Sequence, residues 1–296
     1  MLVLFSCSCL SCQKQVGPGI MTVITKLPKS ITESSGLATY DANHVWTIED
    51  SGNGDELYKI DFDGKIVKKL EVKNAKNHDW EDLTTDSNGN LYIGDFGNNK
   101  NKRKDLVIYK LPNPELEKGK KIDAEKIEFS YPEQQDFPPK QSERYFDAEA
   151  FFHWNSSLYV ITRNRSKNFD GKAFIYKIPD TKGTYEAKKV GEVLLCTEPK
   201  NRCAVTSATI SKDGQRIVIL TYTALWIFEN FEFDDFSKGE LTKIFLGTPT
   251  QQESVAFLDH KTVLISDEKY FKNGGLLYSL DIDSILKTKA QPKREP

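Results

Sequence analysis

One unit returns five times along this chain, and that recurrence constrains the fold more than any other feature. It opens with a short segment of small or acidic residues: Ser35-Gly36-Leu37-Ala38, Glu81-Asp82-Leu83-Thr84, Glu149-Ala150-Phe151-Phe152, Ser207-Ala208-Thr209-Ile210 and Glu253-Ser254-Val255-Ala256. A strongly apolar run follows: HVWTIED (44–50), LYIGDFG (91–97), LYVITRN (158–164), RIVILTY (216–222) and TVLISDE (262–268). An aromatic-bearing run comes third: ELYKID (56–61), LVIYKLP (106–112), AFIYKIP (173–179), ALWIFE (224–229) and GLLYSLD (275–281). A more polar fourth run closes the first four units: KIVKKLEV (65–72), EKIEFSYP (125–132), EAKKVGEVLL (186–195) and ELTKIFL (240–246).

Short apolar runs bounded by Gly, Asn, Asp or Ser read as strands, and helical periodicity is confined to weak patches near 113–121 and 282–289. The expected fold is therefore all-β: a β-propeller of five four-stranded blades. The last unit lacks a fourth run, and MTVITKLP (21–28) supplies the strand that closes its blade. Inner strands are apolar on both sides because each blade lies between two others, whereas the outermost strand meets water. Successive units are spaced by 46, 68, 58 and 46 residues in the first column, counted from 35 to 81, 149, 207 and 253. The long intervals read as loops at 133–148 and 196–206 rather than extra strands, so five blades are expected, with six as the alternative. A β-sandwich does not account for a five-fold recurrence. The propeller is placed at 21–285 and a charged tail at 286–296.

Cysteine usage is uneven: Cys7, Cys9 and Cys12 crowd the start, and Cys196 and Cys203 stand far downstream. The stretch MLVLFSCSCLSC reads as the tail of a secretory signal, and Leu4-Phe5-Ser6-Cys7 resembles a bacterial lipobox, in which Cys7 is the lipidated residue. Residues 1–20 are thus signal, anchor and tether, and the expected location is the bacterial cell envelope, lipid-anchored or secreted. The alternative is a buried N-terminal strand. Export permits a disulfide between Cys196 and Cys203 across the loop TEPKNR; two thiols alone are too few ligands for a metal. Interior apolar runs are far shorter than the roughly 20 residues that span a bilayer, so membrane association is expected through the lipid alone. With 41 basic against 43 acidic side chains the net charge is −2, which removes nucleic acid from the expected partners.

The innermost strands of a propeller line its axis, so equivalent positions at their starts converge. That column reads Ser35, Glu81, Glu149, Ser207 and Glu253. Three carboxylates in one small volume repel, and a hard divalent cation removes the conflict. Calcium takes about 6–8 oxygen ligands and tolerates mixed carboxylate, hydroxyl and water donors; borderline metals want Cys or His, which the column lacks. The plainer alternative is that these side chains cap backbone amides.

The Ser/Glu/Glu/Ser/Glu column resembles that of the calcium-activated nucleotidases (soluble apyrases), a family of secreted five-bladed propellers holding one axial calcium. Glu49-Asp50 is similar to an acidic pair of that family. Asp79-Trp80-Glu81-Asp82, Leu91-Tyr92-Ile93-Gly94-Asp95 with Gly97-Asn98, Asp147-Ala148-Glu149-Ala150 and Thr221-Tyr222-Thr223 resemble exported bacterial propellers more closely, and esterase-like phytase propellers more distantly. The resemblance implies calcium as cofactor, on Ser35, Glu81, Glu149, Ser207 and Glu253.

Loops after the second strands bring Asp50, Asp95, Asn98, Arg163, Arg165, Tyr222, Asp267 and Glu268 to the same face, and the long loops add Arg144 and Arg202. Arg163, Arg165, Arg144 and Arg202 are candidate ligand-binding residues, because guanidinium forks match phosphate oxygens. If the site is hydrolytic, Asp50 and Asp95 are the candidate bases. The basic loop 98–104 reads as a solvated run of charge, and the four His, at 44, 78, 153 and 260, show no ligand spacing. Two functions follow. One is a monomeric calcium-binding propeller whose top face receives a small molecule or an envelope partner. The other is a calcium-dependent hydrolase of phosphorylated or ester compounds, nucleotidase-like. The absence of a G-x-S-x-G elbow and of a Gly-rich phosphate loop disfavours Ser-triad and P-loop chemistry.

Overall fold

A computed structural model describes residues 20–195, 200–232, 234–247, 250–269 and 273–290. The chain winds into five blades, in which each strand pairs antiparallel with the next from the axis outward. Blade 1 comprises Ser34–Ala38, His44–Glu49, Glu56–Asp61 and Ile66–Lys73. Blade 2 comprises Trp80–Thr85, Leu91–Asp95, Leu106–Leu111 and Glu125–Ser130. Asp147–Trp154, Ser157–Arg163, Lys172–Pro179 and Lys188–Leu194 form blade 3. Val205–Ile210, Ile217–Thr221, Ala224–Glu229 and Glu240–Phe245 form blade 4. Blade 5 takes Gln252–Phe257, Thr262–Asp267 and Leu276–Asp281 from the C-terminal end, and Thr22–Lys26 completes it from the N-terminal end. The innermost strands touch in cyclic order, with that of blade 5 returning to blade 1.

Two strands depart from the expected four per blade. Lys121–Asp123 pairs parallel to the outer strand of blade 1, and Gly183–Glu186 pairs parallel to the outer strand of blade 2. Each is an excursion from the following blade that covers an edge which would otherwise offer bare N–H and C=O groups. Both are short and polar, so no apolar run announces them. The intervals read as loops at 133–148 and 196–206 hold no extra strand among the described residues, apart from the start of the blade 3 and blade 4 innermost strands. Residues 113–121 do not form a helix, whereas Ile282–Ala290 does and runs across the expected start of the tail. No described helix is long and apolar enough to cross a membrane.

Core formation follows from period-two alternation on strands buried on both faces. In blade 4, Ile217 and Ile219 pack toward blade 3 with Phe152 and Ile161, while Val218 and Leu220 pack toward blade 5 with Val255 and Ile265. The same division gives five apolar clusters, one between each pair of adjacent blades. Truncating one of these side chains to Ala costs about 2–5 kcal/mol, so the interfaces hold the ring together.

Every innermost strand carries a bulge near its start. The register shifts lie between Ser35 and Leu37, Trp80 and Asp82, Ala148 and Ala150, Val205 and Ser207, and Gln252 and Ser254. A bulge re-aims one side chain while the ladder resumes beyond it. The residues turned out of the ladder are therefore Gly36, Glu81, Glu149, Thr206 and Glu253. Blade 1 tolerates only glycine there: Gly36 has φ +73°, and a Cβ would fall 2.5 Å from the Leu83 amide nitrogen.

Candidate functional site

Where the innermost strands begin, the ring opens into a polar cup of about 210 Å³. Ser35, Glu81, Glu149 and Glu253 of the expected column line it. Ser207 does not. The bulge in blade 4 falls at Thr206, whose hydroxyl donates to the Gln252 carbonyl at 2.7 Å. Ser35 behaves similarly, donating to the Glu81 carbonyl at 2.7 Å. Both hydroxyl protons thus go to strands of the next blade.

Ser207 lies one layer deeper, in a network centred on Asp82. Asp82 is fully buried; its Oδ1 accepts the Leu83 amide at 2.9 Å and the Ser207 hydroxyl at 3.0 Å. Its Oδ2 accepts the amides of Phe151 and Ala208, each at 3.2 Å, and Ser207 Oγ accepts the Val255 amide at 3.0 Å. One carboxylate of blade 2 thus ties blades 3 and 4 directly and blade 5 through a serine. Burial pushes the Asp82 carboxyl well up, against the opposing pull of its donors.

Acidic groups crowd the cup itself. Asp50 lines it, and Asp50, Asp79 and Glu81 bring one carboxylate oxygen each within 4.8 Å of one another. Burial pushes Glu81 well above the carboxylate range, and the charges of Glu149, Asp50, Asp79 and Asp147 push it further. Asp79 rises to about 6 by burial and the neighbouring Asp50 and Asp147 charges. Glu268, on the rim, rises to about 7 by burial and the charges of Asp50 and Glu33. Burial also raises Asp50, and raises Glu253 strongly although Arg163 opposes it. This arrangement holds more negative charge than its surroundings neutralise.

Two of the four expected arginines reach the cup, and both are engaged. Arg163 Nη1 lies 3.0 Å from Glu149 Oε2 and its Nη2 donates to the Tyr222 hydroxyl at 2.9 Å. Arg165 Nη2 lies 2.7 Å from Glu149 Oε1, and its Nε donates to Asp147. Glu149 is therefore held by two guanidinium groups, each on a different oxygen, and is better placed as their anchor than as a metal ligand. Arg144 is half-buried and Arg202 exposed, and neither lines the cup.

Asp95 also stands apart. It is fully buried and accepts from Arg103 Nη2 at 2.9 Å, the Asp79 amide at 3.1 Å and the Tyr109 hydroxyl at 3.4 Å. Its side chain braces the segment that carries Asp79 and is absent from the cup lining, which leaves Asp50 as the expected base that faces the cup. The basic loop 98–104 is ordered rather than merely solvated: Asn98 and Asn101 are buried, and Arg103 reaches Asp95. Asp79 was not singled out by the repeat, because it precedes the innermost strand of blade 2 in the crossover from blade 1. Cys7 and Cys196 lie outside the described residues; Cys203 is buried and disulfide-bonded.

No protein-family model matches this sequence, and no curated protein matches it. The resemblance to calcium-activated nucleotidases accordingly finds no support there. A solved structure of similar outline is the PQQ-bound form of aldose sugar dehydrogenase from Streptomyces coelicolor, at 9% identity and a TM-score of 0.49, covering 89% of this chain and 98% of that one. The strand order of this chain is by itself that of a five-bladed β-propeller with an acidic axial cup.

Proposed function

We propose that this chain is an exported calcium-binding propeller, lipid-anchored at Cys7, whose axial cup holds one calcium ion through Asp50, Asp79 and Glu81. The observation that carries this reading is the approach of those three carboxylates within 4.8 Å, in a cup whose other acids, Glu149, Glu253 and Glu268, are pushed upward. All donors are oxygen, the preference of a hard cation, and calcium's loose coordination suits ligands drawn from different loops. Bound calcium would offset two of the three carboxylate charges and keep coordination positions open at the mouth of the cup, where a polyhydroxylic ligand or an envelope partner with oxygen donors docks. Binding is favoured over hydrolysis because Arg163 and Arg165 are taken up by Glu149, Asp147 and Tyr222, and Asp95 by Arg103.

The test is calorimetric calcium titration of chelator-treated protein, with nucleoside diphosphate and model-ester hydrolysis assayed in parallel. One calcium per chain, weakened at least tenfold in Asp79→Asn, supports the reading. No calcium binding sinks it, and calcium-dependent turnover would move the function to the hydrolytic alternative. Fractionation of cells carrying Cys7→Ala tests the anchor: an unchanged distribution rules it out.

A further inference from the structure

We propose a second metal site on the opposite face of the ring, formed by His153, Asp86 and Asp180 and suited to a divalent transition metal such as zinc. The face is fixed by topology. Asp86 follows the innermost strand of blade 2, His153 lies near the end of that of blade 3, and Asp180 follows the third strand of blade 3. All three therefore lie at the end remote from the axial cup. One ligand atom from each falls within 4.8 Å of the others. His153 Nε2 lies 2.8 Å from Asp180 Oδ2. In a tetrahedral zinc site with bonds of about 2.0–2.1 Å, neighbouring ligand atoms lie about 3.3 Å apart. To reach that spacing the 2.8 Å contact would open and the wider gaps, at most 4.8 Å, would close.

Surrounding contacts hold the three groups in place. His153 is 8% exposed, and its ring stacks on that of Tyr92 with centroids 5.3 Å apart and planes 18° from parallel. The Tyr92 hydroxyl donates to Asp86 Oδ2 at 3.0 Å and lies 3.5 Å from Asp180 Oδ2. One buried tyrosine therefore touches all three candidate ligands, as the outer partners of a metal site do. Asp86 is held by donors on both oxygens: the backbone amides of Asn88 and Asn90 reach Oδ1, each at 2.9 Å, and the Asn90 side-chain amide reaches Oδ2 at 2.7 Å. An imidazole with two carboxylates is an N/O donor set for borderline divalent metals; calcium and magnesium favour oxygen alone. Coordination through Nε2 requires the imidazole proton to reside on Nδ1, and it replaces the present contact with Asp180.

A second, separate observation is the space beside the cluster. A cleft of about 670 Å³ is lined by His153, Asp86 and Asp180, with Tyr40 and Trp154 among its walls. Small-molecule sites typically run about 300–1,000 Å³. Three protein ligands leave a coordination position open, which is the pattern of zinc sites that also bind water or substrate. The cleft would therefore receive a small molecule carrying a metal-binding donor, such as a carboxylate, and a flat or apolar body for the aromatic walls.

The experiment titrates zinc into the chelator-treated full chain, followed by calorimetry and by melting temperature. Cobalt substitution adds the visible spectrum as a direct reading of coordination. The expected result is one site tighter than about 10 µM. His153→Asn and Asp180→Asn should each weaken it at least tenfold and erase the cobalt bands. Far-UV circular dichroism and the metal-free melting temperature establish that both variants fold. Glu81→Gln should leave zinc binding unchanged, which separates this site from the axial cup. Weaker wild-type binding, or retention of zinc in either variant, overturns the proposal.

Discussion

Replacing Glu81 by glutamine removes one negative charge from the cup and changes almost nothing else. The amide is nearly isosteric, and the contact from Ser35 goes to the Glu81 backbone carbonyl. With calcium near 1 mM and a dissociation constant of about 10 µM, the wild-type gain is about 2.7 kcal/mol. For a chain of this size each kcal/mol moves the melting temperature by about 2–4 °C, so calcium should raise it by roughly 5–11 °C. In Glu81→Gln that shift should fall below about 2 °C. The metal-free variant should melt at or above the metal-free wild type at pH 8. Burial and the charges of Glu149, Asp50 and Asp79 oppose ionisation of Glu81, and glutamine escapes that conflict. Differential scanning calorimetry with calcium and with chelator measures both quantities. A variant that keeps the full calcium shift, or melts far below wild type without metal, would refute the reasoning.

Further consequences can be checked separately. Asp79 at about 6 and Glu268 at about 7 lie above their ordinary values of 3.8 and 4.5, so the native state holds protons that the unfolded chain has released. From these two groups metal-free stability should therefore be highest below about pH 4 and fall as pH rises from there to 6–7, by up to about 1.4 kcal/mol per pH unit for each group, levelling off above. Saturating calcium should abolish that loss in thermal melts. Asp82→Asn turns an amide NH₂ toward backbone donors that now meet a carboxylate, and should cost about 3 kcal/mol or more in urea unfolding. Gly36→Ala forces a Cβ to within 2.5 Å of the Leu83 amide nitrogen at a positive φ, and should cost upwards of about 2 kcal/mol by the same measurement.

Much of the architecture was legible because a propeller blade writes itself as successive short apolar runs. Even the closing strand at Thr22–Lys26 could be assigned, from the missing fourth run of the last unit. What escaped has physical causes. Lys121–Asp123 and Gly183–Glu186 are stabilised by parallel pairing with an edge far away in sequence, and their side chains carry no apolar pattern. Ser207 was matched to the axial column by residue type, but it follows the bulged residue of blade 4 and is taken into the buried network of Asp82. Asp95 has the right chemistry and the right loop, yet its carboxylate is taken by Arg103 and Tyr109. His153 showed no ligand spacing because its partners, Asp86 and Asp180, are 67 and 27 residues away and meet it only once blades 2 and 3 stand side by side.

Anomalous scattering from crystals grown with calcium locates the cation itself. One strong peak is expected in the cup, in contact with carboxylate oxygens of Asp50, Asp79 and Glu81, with Glu149 still clasped by Arg163 and Arg165. An empty cup, or a peak held by Glu149 and Glu253 with the arginines displaced, would contradict it.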